Sequence, residues 1–539
     1  MTTAPAEFTP PSLPATSSPA MGLAQAFAHY QQGRLAEAET ICEAILGAEP
    51  QHFDTLHLLG LLRHQQKRNV EALALVGAVL ARAPGSAEVL NNYGLILAAL
   101  TRHEEALGCF EKALANHAGY LHALKNRAAS FKSLARHEPA LAAYEEVLAA
   151  KPDDLDALNE CGGLYVRLGR PDAALACYDR ALAIAPRIAE LHINKGSALG
   201  ALNWDEEALE SFVAAAAIDP QNPDAHHRAS LIRLRRGDFT HGWRDYEWRW
   251  RTGRAPQVRQ VAAPLWLGEQ PLEGKTILLL SEQGFGDTIQ FVRYAPLVAA
   301  LGATVFLDVP PALKALAASV PGVSAVFAHG EGAPPVDFYC PLLSLPLAFQ
   351  TGLATVPAGI PYLRPDESRL SSWRERMPQS GRLKVGIAWA GSKDHLNDHS
   401  RSIALERFDK ILSVLNLDFI SVQRDIGEPQ MAPLRRRRIA MLGQDFQDFA
   451  DTAAVLAQLD LLISVDTSVA HLAGAMGKAV ALLLPFSPDW RWLQGRTDSP
   501  WYPTMRLFRQ TAIGDWDGPL DRLCDELGAV ARRKPPPPR

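Results

Sequence analysis

The spacing of apolar and polar positions divides the chain in two. Up to about Trp250 the period is helical and the small residues keep one phase: Ala38, Ala72, Ala106, Ala140, Ala174, Ala208 and then Gly242, each 34 residues after the last. A second column runs Ala26, Gly60, Gly94, Ala128, Gly162, Gly196 and Ser230, and a third runs Pro50, Pro84, Ala118, Pro152, Pro186 and Pro220. Three columns with one spacing predict a repeated unit of two amphipathic helices. The small residue sits near the middle of the first, a Gly or polar turn follows, and Pro ends the second because it has no N–H to continue it. Six full repeats fit between about Pro19 and Pro220, and a seventh, degenerate one reaches Trp250. Ala118 and Gly242 depart from the pattern.

From Lys275 onward the 34-residue period is gone. Short apolar runs alternate with helical stretches, the pattern of parallel sheets covered by helices. Strands are expected at Thr276–Ser281, Thr304–Val309 and Val323–Ala328, with a helix from about Thr288 to Leu301 and a first unit closing in the Pro- and Gly-dense stretch from Gly330 to Pro365. A second unit opens at Leu383–Trp389 and continues with strands at Asp418–Val422, Leu461–Val465 and Ala479–Leu484. Side by side, two such units bring their strand ends around one crevice, the usual ligand position in open α/β sheets.

The clearest repeat, Leu158 to Pro186, carries Gly162, Tyr165, Ala174, Tyr178, Ala181 and Pro186. In this the array resembles the tetratricopeptide repeat, which implies a superhelix with a concave, peptide-binding face. Asn92, Asn126 and Asn194 share one phase of the first helix, with Glu160 in the repeat between. Asn is a poor helix-interior residue. The column is either a set of solvent-facing amides or, as in the protein O-GlcNAc transferases it resembles, a ladder that grips an extended polypeptide.

In the second half, Gly286-Asp287-Thr288-Ile289 follows the first strand, and Asp466-Thr467-Ser468-Val469-Ala470-His471 follows a later one. These segments, with the run from Leu483 to Trp492 and that from Asp498 to Arg509, resemble the heptosyltransferase-type GT-B glycosyltransferases, and in particular bacterial proteins that fuse tetratricopeptide repeats to such a transferase. The resemblance implies an α-solenoid followed by an α/β GT-B fold of two Rossmann-like domains. It also implies metal-independent, inverting transfer of a sugar from a nucleotide donor to a Ser or Thr hydroxyl of a polypeptide held by the repeats. Flagellin is the acceptor suggested by some members of that group; others are labelled O-GlcNAc-transferase-like. The expected organisation is a tail over 1–18, the repeat superhelix over 19–253, a junction over 254–274, Rossmann-like domains over 275–380 and 381–531, and a tail over 532–539.

Sugar transfer needs a base, a counter-charge for the leaving phosphate and a nucleotide pocket. Asp287, at the tip of the first strand, can accept the hydroxyl proton, the role its counterpart is given in heptosyltransferases, or it can cap the next helix. Gly284 and Gly286 let backbone approach a ligand. Thr467 and Ser468 offer hydroxyls and N–H groups to a phosphate at a helix N-terminus; Asp466 either belongs to the same donor-binding segment or caps the helix, and His471 donates to the phosphate or packs. Lys393 and Arg401 lie in the loop after the second unit's first strand and supply positive charge without a metal. His395 and His399 share that loop. The sole D-x-D of this half, Asp515-Trp516-Asp517, reads as a helix cap, so no metal and no cofactor is expected. Arg435 to Arg438 reads as a solvated basic run, and Trp490, Trp492 and Trp501 as packing residues.

Composition changes this picture little. The 539 residues carry 54 Lys and Arg against 59 Asp and Glu, a formal charge of −5 with 47% apolar residues, so nothing points to nucleic acid. Six cysteines without metal-ligand spacing read as thiols. No stretch is long and apolar enough for a membrane span, and the first residues lack a secretory signal; a cytoplasmic protein is expected. Two alternatives stay open: a non-catalytic scaffold with a degenerate transferase half, and a transferase acting on a lipid or polysaccharide.

Overall fold

The computed structural model describes residues 18–253, 259–393 and 397–533. Ser18 already belongs to the first helix, and Arg532 and Arg533 to the last; the rest of the expected tails, the junction residues 254–258 and His395 lie outside the described residues. The chain forms two compact units, Met1–Ala198 and Leu199–Arg539. The division falls inside a helix of the sixth repeat rather than at the expected junction.

The first unit is a succession of antiparallel helix pairs: α1 (Ser18–Gln31) with α2 (Leu35–Ala48), α3 (Phe53–Gln65) with α4 (Asn69–Arg82), α5 (Ala87–Ala99) with α6 (His103–Asn116), α7 (Leu121–Ser133) with α8 (His137–Ala150), and α9 (Leu155–Arg167) with α10 (Pro171–Ile184). Helix α11 (Ala189–Ala201) runs across the division. The small-residue columns exist because the paired helices touch. Ala38, Ala72, Ala106, Ala140 and Ala174 are fully buried. A Cβ on Gly94 would stand 2.6 Å from the Phe110 ring, and one on Gly162 2.5 Å from that of Tyr178. A side chain there would force the helices apart.

The turn between the two helices of each repeat has its own column. Gly33, Lys67, Thr101, Ala135, Gly169, Asn203 and Gly237 all have positive φ, from 57° to 84°. Glycine adopts this conformation without steric cost, yet four of the seven positions carry another residue. The register is therefore held by the packed helices rather than by the turn residue.

The second unit begins with helices and ends with sheets. It contains α12 (Asp205–Ile218), α13 (Pro223–Arg235), α14 (Phe239–Tyr246) and a 3₁₀ turn, Glu247–Arg251. A four-stranded sheet follows, with β1 (Thr276–Leu280), β2 (Thr304–Val309), β3 (Val323–Ala328) and β4 (Phe338–Pro341) in the order β3-β2-β1-β4. The second sheet has six strands, β5 (Leu383–Ala388), β6 (Leu417–Ser421), β7 (Ala440–Met441), β8 (Leu461–Val465), β9 (Val480–Leu484) and β10 (Met505–Arg509), in the order β10-β9-β8-β5-β6-β7. All pairings between these strands are parallel. Counted within its own sheet, the second order is 3-2-1-4-5-6, that of the doubly wound α/β fold.

Sequence patterning misses β4, β7 and β10. β4 lies inside the Pro-rich stretch read as a boundary, and β7 is two residues long. The single helix expected over 288–301 is two: α15 (Phe285–Phe291) and a short helix Ala295–Ala300, separated by a 3₁₀ turn at Val292–Tyr294. Pro296 lacks the N–H that would carry one helix through.

The last helical repeat shares its core with the sheets. Leu234, Phe239, Trp243 and Tyr246 are buried in one cluster with Ile277, Leu279, Phe291, Leu482, Trp490 and Trp501. The Trp243 ring meets Trp490 edge-on at 5.2 Å, and its indole N–H donates to the Thr351 carbonyl at 3.0 Å. Asn203 Nδ2 donates to the Phe486 carbonyl at 2.7 Å. The buried Arg235 is ion-paired with Asp205 and donates to Ser487 Oγ at 2.6 Å.

Candidate functional site

The second sheet's strand order reverses between β5 and β8, and open α/β folds bind ligands at the strand ends beside such a switch. The loop after β5 carries Lys393 and Arg401; the turn after β8 carries Asp466, Thr467 and Ser468. Arg401 Nη1 donates to the Asp466 carbonyl at 3.1 Å, and its Nε lies 3.4 Å from Asp398 Oδ1. The guanidinium lies against the backbone of Gly391, where a Cβ would collide with it. Lys393 is exposed. Thr467 is the N-cap of helix Ser468–Ala475, and its side chain does not cap that helix; its Oγ1 stands 3.1 Å from Ser464 Oγ. Ser468, half-buried, is the first residue of the helix.

Asp466 turns inward. Its Oδ2 accepts from the Trp492 indole at 2.9 Å, and its Oδ1 is 3.6 Å from His471 Nε2. Burial would raise the Asp466 carboxyl, but the His471 imidazole, the Trp492 N–H and the Arg491 charge together hold it below the usual carboxylate range. His471 is buried, and its Nδ1 is 2.9 Å from Tyr502 Oη. Asp466 is thus a ligand of His471 and Trp492 rather than the cap of its helix.

The first sheet reaches this place through α15. Gly284 is its N-cap, and Asp287 sits at the third helical position, where its Oδ2 accepts from the Gly284 N–H at 2.9 Å. Gly286 touches the other half: a Cβ there would be 2.9 Å from His471 Cδ2. Asp287 Oδ1 is ion-paired with Arg491, a nearly buried residue of the 3₁₀ turn Trp490–Trp492 after β9. Asp287, Gly286, His471 and Asp466 therefore stand together, with Arg401 on the Asp466 backbone.

Two clusters escaped sequence reasoning. Arg491 lies in the run from Leu483 to Trp492, and nothing local marks it as the partner of a carboxylate 204 positions earlier. The other lies at the first sheet's own switch, between β1 and β4. Glu282 is wholly buried there; its Oε1 accepts from the Leu343 N–H at 3.2 Å and from Arg249 Nη2 at 3.1 Å. Burial pushes the Glu282 carboxyl up to about 7, against the pull of Arg249. Arg249 also donates to Ser344 Oγ at 2.7 Å and lies 4.8 Å over the Tyr246 ring. This crevice is filled by the protein's own last repeat.

The remaining motifs settle simply. Asp515 Oδ1 accepts from the Gly518 N–H at 3.2 Å, at the start of helix Asp517–Arg533. Arg435 to Arg438 are exposed around the end of helix Glu428–Arg436. Trp490, Trp492 and Trp501 are buried, and the six cysteines are thiols.

In the repeats, the asparagines bond to one another. Asn92 is buried, 1% exposed, with Nδ2 3.0 Å from His57 Nε2. Asn126 Nδ2 donates to Asn91 Oδ1 at 2.9 Å, and Asn194 Nδ2 to Asn159 Oδ1 at 2.8 Å. Each pair spans 35 positions, joining the first helices of consecutive repeats. Asn126 and Asn194 remain half-buried.

Among the described residues no helix is long and apolar enough to cross a membrane. FlbA of Caulobacter vibrioides is 27% identical over 325 residues, 56% of this chain and 54% of that protein, so the chain spans about half the length of this curated relative. A tetratricopeptide repeat protein from Parabacteroides merdae is similar at 17% identity and a TM-score of 0.36, covering 43% of this chain and 91% of its own. A thermophilic repeat protein of Thermus thermophilus is similar at 25% identity and a TM-score of 0.30, over 34% and 99%. Models of the tetratricopeptide repeat match residues 23–87, 59–120, 135–192 and 189–222. The helix pairs over residues 23–120 and 135–222 are tetratricopeptide repeats.

Proposed function

We propose that the chain is a GT-B glycosyltransferase that moves a sugar from a nucleotide donor to a Ser or Thr hydroxyl of a polypeptide held by its repeats. The observation that carries this reading is the meeting of Asp287 and Gly286, from the end of the first sheet, with Asp466 and His471, from the switch point of the second. A carboxylate beside a doubly wound sheet's ligand position suits acid–base work on a phosphorylated substrate. In the reaction the acceptor oxygen bonds to the anomeric carbon from the face opposite the phosphate. The carbon–phosphate oxygen bond breaks with its electron pair on the leaving phosphate, and the hydroxyl proton passes to Asp287. Arg401, Lys393 and the N–H groups of Thr467 and Ser468 supply the positive field that the leaving phosphate requires.

The concave surface of a solenoid suits an extended polypeptide, and we take flagellin as the first acceptor to test. One observation favours the scaffold reading instead: both oxygens of Asp287 already have partners, the Gly284 N–H and Arg491. Donor turnover decides between them. Wild type is expected to release nucleotide from one of UDP-GlcNAc, ADP-heptose or a CMP-nonulosonic acid, and Asp287→Asn to release at least about a hundredfold less. No release by either protein, with partner binding intact, establishes the scaffold.

A further inference from the structure

We propose that Arg491 is a positioning residue for Asp287, fixing the plane in which that carboxylate meets the acceptor hydroxyl; this rests on the reading of Asp287 as the base. Each nitrogen of the guanidinium has a partner. Nη2 pairs with Asp287 Oδ1, Nη1 donates to Asp489 Oδ1 at 2.8 Å, and Nε donates to Gln290 Oε1 at 2.7 Å. The flat group lies 4.5 Å above the Trp490 ring. Its side chain is only 10% exposed, and that of Asp287 19%. Burial opposes the Arg491 charge, but Asp489 and Asp287 hold the group protonated.

The turn that presents Arg491 is itself constrained. Leu493, directly after it, has φ of 54° with ψ of −179°, a conformation that a branched side chain adopts only when its surroundings impose it. Those surroundings are the Trp492 indole on Asp466, the Arg509 guanidinium on the Trp492 carbonyl, and the buried Trp490 ring. Buried ion pairs contribute little net stability, so stability alone does not explain why the chain brings these two charges together. The arrangement does fix a carboxylate between two donors, Arg491 on Oδ1 and the Gly284 N–H on Oδ2. Each carboxylate oxygen has a second lone pair, so the fixed group can still accept a proton. Orientation of this kind governs how well a base works.

The test uses the full chain with flagellin as the acceptor and reads nucleotide release from UDP-GlcNAc, ADP-heptose and a CMP-nonulosonic acid. Arg491→Lys is expected to lower kcat by about tenfold or more, with donor KM within about twofold of wild type. The double variant Asp287→Asn/Arg491→Lys is expected to be no slower than Asp287→Asn alone, because residues that act as a unit are not additive. Should Arg491→Lys not fold, Gln290→Met decides: it removes only the acceptor on Nε and is expected to lower kcat about threefold. A raised KM at unchanged kcat overturns the proposal by making Arg491 a donor-binding residue, and so does a double variant slowed by the product of the single effects. Turnover by wild type that neither Arg491→Lys nor Gln290→Met changes overturns this proposal alone. Failure of wild type on all three donors overturns the transferase reading on which it rests.

Discussion

Arg249, from the last helical repeat, donates to Glu282 at the end of β1 across 3.1 Å, and both side chains are buried. Removing one partner of such a pair leaves an uncompensated charge, which costs about 3–5 kcal/mol. Arg249→Met is therefore expected to destabilise the second unit by up to that amount at about pH 9, where Glu282 is ionised in the folded protein. Glu282 has a folded pKa of about 7, above its ordinary 4.5, so the stability it contributes is fully present below pH 4.5 and is lost as pH rises through 7. The penalty of Arg249→Met should shrink toward pH 5, where the carboxyl holds a proton, and Glu282→Gln should recover most of it. All eleven tryptophans lie beyond Leu199, so denaturation followed by tryptophan fluorescence reads this unit alone.

The same packing says where the chain can be cut. Truncation at the end of the repeats as patterning draws them, removing residues 1–253, takes away Phe239, Trp243 and Tyr246, each buried against the sheets. Truncating one such aromatic costs about 3–5 kcal/mol. Three exceed most of the 5–15 kcal/mol that holds a domain together. That fragment is expected to lack a cooperative tryptophan transition. Removal of residues 1–188, which keeps α11 and everything after it, is expected to retain one; a cooperative transition in the shorter fragment would contradict this account of the core.

The helix pairs were legible because packing leaves a mark at every period: Ala38 to Ala174 are small where Gly94 and Gly162 show how close the partners come. Seven strands were legible as apolar runs between turns, whereas β4 was hidden by the prolines around it and β7 is too short to have a pattern. Where α13 and α14 belong was not legible, since a helix face that packs on a sheet reads like one that packs on the next repeat. Asp287 and His471 stood out by their place after strands. Arg491, Arg249 and Glu282 did not, because their meaning lies in contacts between distant segments, to which periodicity is blind. The asparagine column was visible, but its neighbours Asn91 and Asn159, which accept the bonds, fall in the adjacent phase.

That column predicts a pH response in the first unit. Burial lowers His57 from 6.5 to about 4, so between these values the unfolded chain binds a proton that the folded one refuses. Stability from this group is present above pH 6.5 and is lost as pH falls through 4, by on the order of 3 kcal/mol in all. His57→Gln keeps a polar partner for Asn92 without the titration. It is expected to flatten the acid limb of helix loss seen by far-ultraviolet circular dichroism while leaving the tryptophan transition unmoved. An acid limb identical in the two proteins would mean that His57 is not what titrates.

Gly286 offers the sharpest probe of how the two sheets meet. A Cβ at this position stands 2.9 Å from His471 Cδ2, closer than unstrained packing allows. The imidazole has no easy retreat: Tyr502 holds its Nδ1 at 2.9 Å, Asp466 faces its Nε2, and Trp492 covers it at 5.4 Å between ring centres. Overpacking a site that cannot relax costs about 1–3 kcal/mol, and Gly286→Ala should lower the second unit's stability by that much. If His471 is the obstacle, the same substitution in a His471→Ala background should cost less than about 0.5 kcal/mol, since residues in contact couple while distant ones add. Equal penalties in both backgrounds would place the obstruction elsewhere and separate Gly286 from His471.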